Sequence, residues 1–238
     1  MNKKVLDFKL LTEKKYLQKT PIDVIDFVPS SEKMLEEVQI RRAIKKFIGS
    51  GSSWKQPKLN WEKLQSDFLG GSPTNEVGWK RMFMWFYFQL DAKEYGNYAE
   101  SAIINCFKLD KIGAQKGAGD ALIVNGNIVE IKSSIGVDVG CNFYALRVRE
   151  YHPVDEYLLA WYCGEEDELW WILVPKAIMA PIIGKYGNIM ANTKEHNKGN
   201  KNKEMRLTID REKDCYKELL NYRLTTKELY TYCKEGTL

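Results

Sequence analysis

Residues 117–134 read GAGDALIVNGNIVEIKSS, two short apolar runs on either side of Asn125-Gly126. Asn-Gly between alternating apolar residues is a strong β-hairpin signal, because both residues accept the positive φ that tight hairpin turns require. In the second run Glu130 and Lys132 alternate with Val129 and Ile131, so the charged pair shares one face and the apolar pair enters the core. The first run opens with Asp120 behind the small residues Gly117, Ala118 and Gly119. A strict two-residue turn at Asn125-Gly126 would set Asp120 opposite Ile131 and away from Glu130. A three-residue loop, Asn125 to Asn127, would pair Asp120 with Lys132 and Leu122 with Glu130, gathering the charges on one face. The expectation is that loop, or a bulge of the same effect.

The chain on either side of the hairpin sets the fold class. VDEYLLAWYC (154–163) and ELWWILVP (168–175) are apolar, aromatic strands joined by the acidic turn GEEDE. YGNYAESAIINCFKL (95–109) has helical spacing, with Glu100, Ile103, Ile104 and Phe107 on one face. A carboxylate at the head of an apolar stripe must be paired, metal-bound or at the edge of the core. KRMFMWFYFQL (80–90) is apolar all round and reads as a buried helix. Residues 54–79 read as loop-rich, and 31–48 as a helix stopped by Gly49 and Gly51. KAIMAPIIGKYG (176–187) suggests a short helix broken by Pro181 and ended by Gly184. EMRLTI (204–209) alternates as a strand, and residues 211–236 read as two helical parts. This order implies an α/β fold, more narrowly an α+β mixed sheet flanked by helices. We divide it into a mainly helical region 1–95, a core 96–210 and a helical tail 211–238.

At 238 residues, 44% apolar and 29% charged, the chain can bury a sizeable core. Nothing approaches a run of 18 uncharged apolar residues, and charges interrupt the N-terminus, so neither a membrane span nor a signal peptide is expected. The cysteines, Cys106, Cys141, Cys163, Cys215 and Cys233, form no CxxC pair and read as reduced thiols of a cytoplasmic protein. Net charge is only +4, but residues 41–81 carry nine bases against three acids, which suits a polyanion. Residues 154–170 carry six acids and no base, which reads as a solvated turn.

The hairpin charges suit phosphodiester hydrolysis, which needs a hard cation held by oxygen ligands. Asp120 and Glu130 supply carboxylates, and the Ile131 carbonyl is a candidate third ligand. Lys132, two residues along the same face, is placed to hold the attacking water and stabilise negative charge. Glu100 is placed to complete the site from its helix. Other chemistries find little support. His152 and His196 lack neighbouring histidines, and no GxxxxGK[ST] loop indicates a nucleotide cofactor.

Glu100 on a helix, Gly119-Asp120 and Glu130-Ile131-Lys132 together resemble the PD-(D/E)xK nuclease superfamily, across roughly residues 96–175. Glycine stands at 119 where the family's name has proline, a departure expected to be harmless. The resemblance implies a restriction-endonuclease-like core, Mg²⁺-dependent DNA cleavage, and catalytic roles for Asp120, Glu130, Lys132 and Glu100. The segment 193–206 holds five bases, two acids, one histidine and three asparagines, side chains that hold phosphates and read base edges. Candidate DNA contacts within the loop 192–206 are Lys194, His196, Asn197, Lys198, Asn200, Lys201 and Lys203, with Arg147 and Arg149 suited to phosphate. The expected activity is that of a type II restriction endonuclease on double-stranded DNA, acting as a homodimer. A repair or junction-resolving nuclease, or an inactive DNA-binding protein with the same core, is the alternative.

Overall fold

The computed structural model describes residues 61–89, 95–112, 119–136, 141–164, 166–189, 203–212 and 214–237. The helix expected over 31–48 and most of the basic loop 192–206 lie outside them. All belong to the second of the two units into which the chain divides, Asn60–Leu238. Helices α1 (Trp61–Leu69), α2 (Glu76–Gln89) and α3 (Tyr95–Phe107) precede strands β1 (Asp110–Lys111), β2 (Ala121–Leu122), β3 (Ile128–Gly136), β4 (Phe143–Val148), β5 (Glu156–Cys163) and β6 (Glu168–Pro175). There follow α4 (Lys176–Tyr186), β7 (Gly187–Ile189), β8 (Met205–Ile209), α5 (Asp214–Leu220), β9 (Arg223–Leu224) and α6 (Thr226–Glu235). The fold is mixed α/β.

Among the described residues one sheet has six strands in the order β1-β2-β3-β5-β6-β9, and a second has three in the order β4-β8-β7. Among the described strands only β3 and β5 run parallel, with Glu130 beside Tyr157, Lys132 beside Leu159 and Ser134 beside Trp161. A parallel pair cannot be joined by a tight turn. The connection from β3 to β5 is β4, whose Tyr144 N–H donates to Ser134 Oγ at 3.0 Å. Strand alternation puts Glu130, Lys132 and Ser134 on one face with Tyr157, Leu159 and Trp161. Against that face pack Phe143 and Ala145 of β4, Leu207 and Ile209 of β8, Ile182 and Ile183 of α4, and Leu219 of α5. The opposite face meets α2 and α3. Trp171 lies edge-on to Trp79 at 5.2 Å and to Phe107 at 5.6 Å.

The expected strands of residues 154–175 form the β5–β6 hairpin, buried on both faces apart from its two ends. Met82, Phe83, Met84, Trp85 and Phe86 are all buried, as an all-round apolar helix requires. The turn between β5 and β6 is solvated, with Glu166 exposed, and its charges are also paired. Glu166 pairs with Arg211 at 2.6 Å, and Lys80 donates to the Asp167 carbonyl at 2.6 Å.

Three local expectations are corrected. Residues 61–69 form a helix instead of a loop. Leu64 and Phe68 stand one turn apart and are buried, Lys63 pairs with Asp67 at 3.3 Å, and Gly70 and Gly71 end the helix with positive φ. Helix α4 runs through Pro181 and past Gly184 to Tyr186. Pro181 is exposed, so water can satisfy the carbonyl that its missing N–H leaves, while buried Met179, Ile182 and Ile183 hold the helix to the sheet. Gly184 instead leaves room for a neighbour: a Cβ there would stand 3.1 Å from the Glu150 carboxyl carbon. Lastly, Cys141 and Cys163 form a disulfide, and the other three cysteines are buried thiols. Packing of β4 over the end of β5 brings their Cα atoms to 5.3 Å, within bonding range.

Candidate active site

The hairpin loop has three residues, Val124 to Gly126, one position earlier than the expected Asn125 to Asn127. Ala121 pairs with Val129 and Leu122 with Ile128, and Ile123 N–H donates to Asn127 O at 3.0 Å. Gly126 takes φ +88°, and its N–H closes the turn on Ile123 O at 2.9 Å. The effect on the charges is the expected one. Asp120, Glu130 and Lys132 meet, although Asp120 N–H donates to Val129 O at 2.9 Å and no register places it opposite Lys132.

The Lys132 ammonium is the meeting point. Its Nζ stands 2.5 Å from Glu130 Oε1, 3.9 Å from Asp120 Oδ2 and 3.2 Å from the Ile131 carbonyl oxygen. The same Asp120 Oδ2 accepts the Ile131 N–H at 2.7 Å, which orients the carboxylate along the strand edge. All three expected oxygen ligands therefore surround one nitrogen. Among the described residues no group of three or more His, Cys, Asp or Glu side chains is arranged as a metal site. The donor set here is two carboxylates and a main-chain carbonyl.

The electrostatics follow from burial. Glu100 on α3 is pushed up to about 7, first by burial and then by the negative Asp120, with Lys132 and Lys111 opposing. Burial also raises the Asp120 carboxyl, which Lys132 partly offsets and Glu130 reinforces. For Lys132 burial works downward, but Glu130, Asp120 and Glu100 together overcome it and keep the ammonium charged.

Gly119 takes φ +75°, and a Cβ there would stand 2.6 Å from Ile128 Cγ2 and 2.9 Å from Val154 Cγ1. Proline, locked near φ −65°, cannot adopt that backbone. Glycine at 119 is therefore a conformational requirement for placing Asp120, rather than a neutral replacement. At its far end the hairpin is held by α6. Tyr232 Oη lies 3.3 Å from both Asn125 Nδ2 and Asn127 Nδ2, and donates to Glu156 Oε1 at 2.7 Å.

The proposed DNA contacts divide in three. Arg147 is exposed on a bulge of β4 with φ +59°. Arg149 is engaged by Glu204 at 2.6 Å, and Lys203 is exposed. Lys194, His196, Asn197, Lys198, Asn200 and Lys201 lie outside the described residues. The sequence gives no sign of a fourth side chain at the hairpin, His152. It is buried just before β5, with Nδ1 at 3.3 Å from Glu130 Oε2. Only the parallel β3–β5 pairing brings residues 130 and 152 together, and no local pattern announces it.

No protein-family model matches the chain, and no curated protein matches it.

Proposed function

We propose that the chain is a Mg²⁺-dependent endonuclease of double-stranded DNA, of the type II restriction class within the PD-(D/E)xK nucleases. The observation that carries this reading is the convergence of Asp120, Glu130 and the Ile131 carbonyl on Lys132 Nζ, within 3.9 Å. The donors are all hard oxygens, the kind that bind Mg²⁺. Burial raises the Glu100 and Asp120 carboxyls, with the neighbouring carboxylates adding to it, and a divalent cation held there would favour their ionised forms. Asp120, Glu130 and the Ile131 carbonyl would hold the ion, and Glu100 would complete the site. Bound there, Mg²⁺ would neutralise charge developing on the phosphate.

Lys132 stays protonated between its carboxylates, so its part is that of a donor. It orients water and stabilises negative charge, and does not act as a base. Arg147, Arg149 and the basic loop 192–206 would hold phosphates and bases. Cleavage of both strands of a symmetric site suits a homodimer, with residues 1–95 available for DNA contact or dimerisation. We place the protein in the cytoplasm, where the Cys141–Cys163 bond is shielded by burial.

Incubating plasmid DNA with the protein, with and without Mg²⁺, tests the reading. Discrete bands that appear only with Mg²⁺ support it. A smear points to a repair-type nuclease of the same core, and intact plasmid under both conditions refutes nuclease activity.

A further inference from the structure

Glu130 is buried, and its two carboxylate oxygens face different partners. Oε1 contacts the Lys132 ammonium at 2.5 Å, and Oε2 lies 3.3 Å from His152 Nδ1. Both side chains of the second contact are more than nine-tenths buried. The histidine comes from the segment that brings the chain from β4 into β5, and that segment is itself tied down on both sides. Tyr157 Oη donates to the Arg149 carbonyl at 2.8 Å, and Asp155 N–H donates to the Ile128 carbonyl at 2.9 Å. His152 thus approaches Glu130 from a fixed piece of backbone. At the hairpin its close contact is with Glu130 Oε2, and through space it also acts on Asp120.

We infer that His152 is a positioning residue for Glu130: it holds Oε2 so that Oε1 and the carboxylate plane stay turned toward Asp120 and the Ile131 carbonyl. This rests on the reading of Asp120, Glu130 and Ile131 as cation ligands. A ligating carboxylate whose other oxygen is held by a neighbouring donor loses little orientational freedom when it binds, and removing such a donor commonly weakens metal affinity 10- to 100-fold. A Glu-x-Lys hairpin fixes only the lysine's side of the carboxylate. The second side has to come from elsewhere in the fold, and here it comes from the crossover.

Two substitutions test the inference on the full chain. His152→Leu fills the buried space without a donor, and His152→Asn keeps an N–H close to the position of Nδ1. Mn²⁺ affinity is measured by isothermal titration calorimetry, alongside the Mg²⁺ concentration that half-saturates DNA cleavage. Thermal unfolding followed by circular dichroism shows that each variant is folded. The inference expects about 10- to 100-fold weaker Mn²⁺ binding for His152→Leu. It expects a matching rise in the Mg²⁺ requirement and recovery to within about threefold of the parent for His152→Asn. A folded His152→Leu that binds Mn²⁺ like the parent overturns it. So does a His152→Asn as impaired as His152→Leu, because the donor would then not be what matters. Failure of the nuclease reading looks different: the parent itself then binds no Mn²⁺ and cuts no DNA.

Discussion

Replacing Glu100 by glutamine should make the metal-free chain more stable, and by an amount that depends on pH. The Glu100 carboxyl ionises near 4.5 when the chain is unfolded and at about 7 when it is folded. Between those values the folded chain keeps a proton that the unfolded chain has released, so stability falls as pH rises through this window. Below 4.5 both states are protonated and Glu100 imposes no penalty; above 7 the penalty is complete. At about 1.4 kcal/mol for each pH unit, the span corresponds to at most about 3.4 kcal/mol. Glu100 is only half-buried, and solvent screening brings the expected effect down to about 1–2 kcal/mol. Urea unfolding of the parent and of Glu100→Gln, in EDTA at pH 4.5, 6, 7 and 8, measures it directly. The curves should nearly coincide at pH 4.5 and separate progressively up to pH 8, with the glutamine variant the more stable. A difference that does not change with pH, or a glutamine variant less stable at pH 8, would refute the claim that burial and Asp120 raise the Glu100 carboxyl.

Asp120→Asn, Glu130→Gln and Lys132→Ala should each lower Mg²⁺-dependent cleavage by about 100- to 1000-fold while leaving DNA binding in place, as read by gel cleavage and mobility shift at one salt concentration. Cutting within about tenfold of the parent by all three would move the active site elsewhere. Gly119→Ala should cost about 2–5 kcal/mol of stability, from left-handed backbone strain and from crowding against Ile128 and Val154, and should reduce cleavage by misplacing Asp120. Denaturant unfolding indistinguishable from the parent would contradict it. Replacing Lys198, Lys201 and Lys203 together by alanine should flatten the dependence of log affinity on log salt by about 2–3, in a fluorescence anisotropy titration. An unchanged slope would remove those lysines from the DNA interface.

What could be read along the chain was whatever depends on near neighbours. The β5–β6 hairpin, the buried helix around Phe83 and the charged face shared by Glu130 and Lys132 each rest on a spacing of two to four residues, and each is found. The loop length was also legible, but its position slipped by one residue because Asn125 and Asn127 are equally good turn formers on either side of Gly126. Pro181 and Gly184 misled for a different reason. They weaken an isolated helix, but α4 is held by the three buried side chains it lays on the sheet, and tertiary packing outweighs local preference. His152, the disulfide and the parallel register were out of reach, because each depends on β4 crossing the face of β3 before the chain returns as β5. The Cys141–Cys163 pair is separated by 22 residues, and nothing at either end points to the other.

That crossover also bears on how the site comes into being as the chain folds. Asp120, Glu130 and Lys132 belong to one hairpin, and hairpins close within about 1–10 μs. His152 joins them only when β5 zips alongside β3, a ladder whose partners, such as Val129 and Glu156, are far apart along the chain. Pairing of this non-local kind is slow, because the intervening loop must be ordered before any contact rewards it. The acidic cluster can thus form early and loosely, at the edge of a hairpin that is barely stable alone. Its final geometry arrives only with that pairing. Variants that slow the β3–β5 pairing should therefore delay the gain of metal affinity in refolding without delaying the hairpin itself.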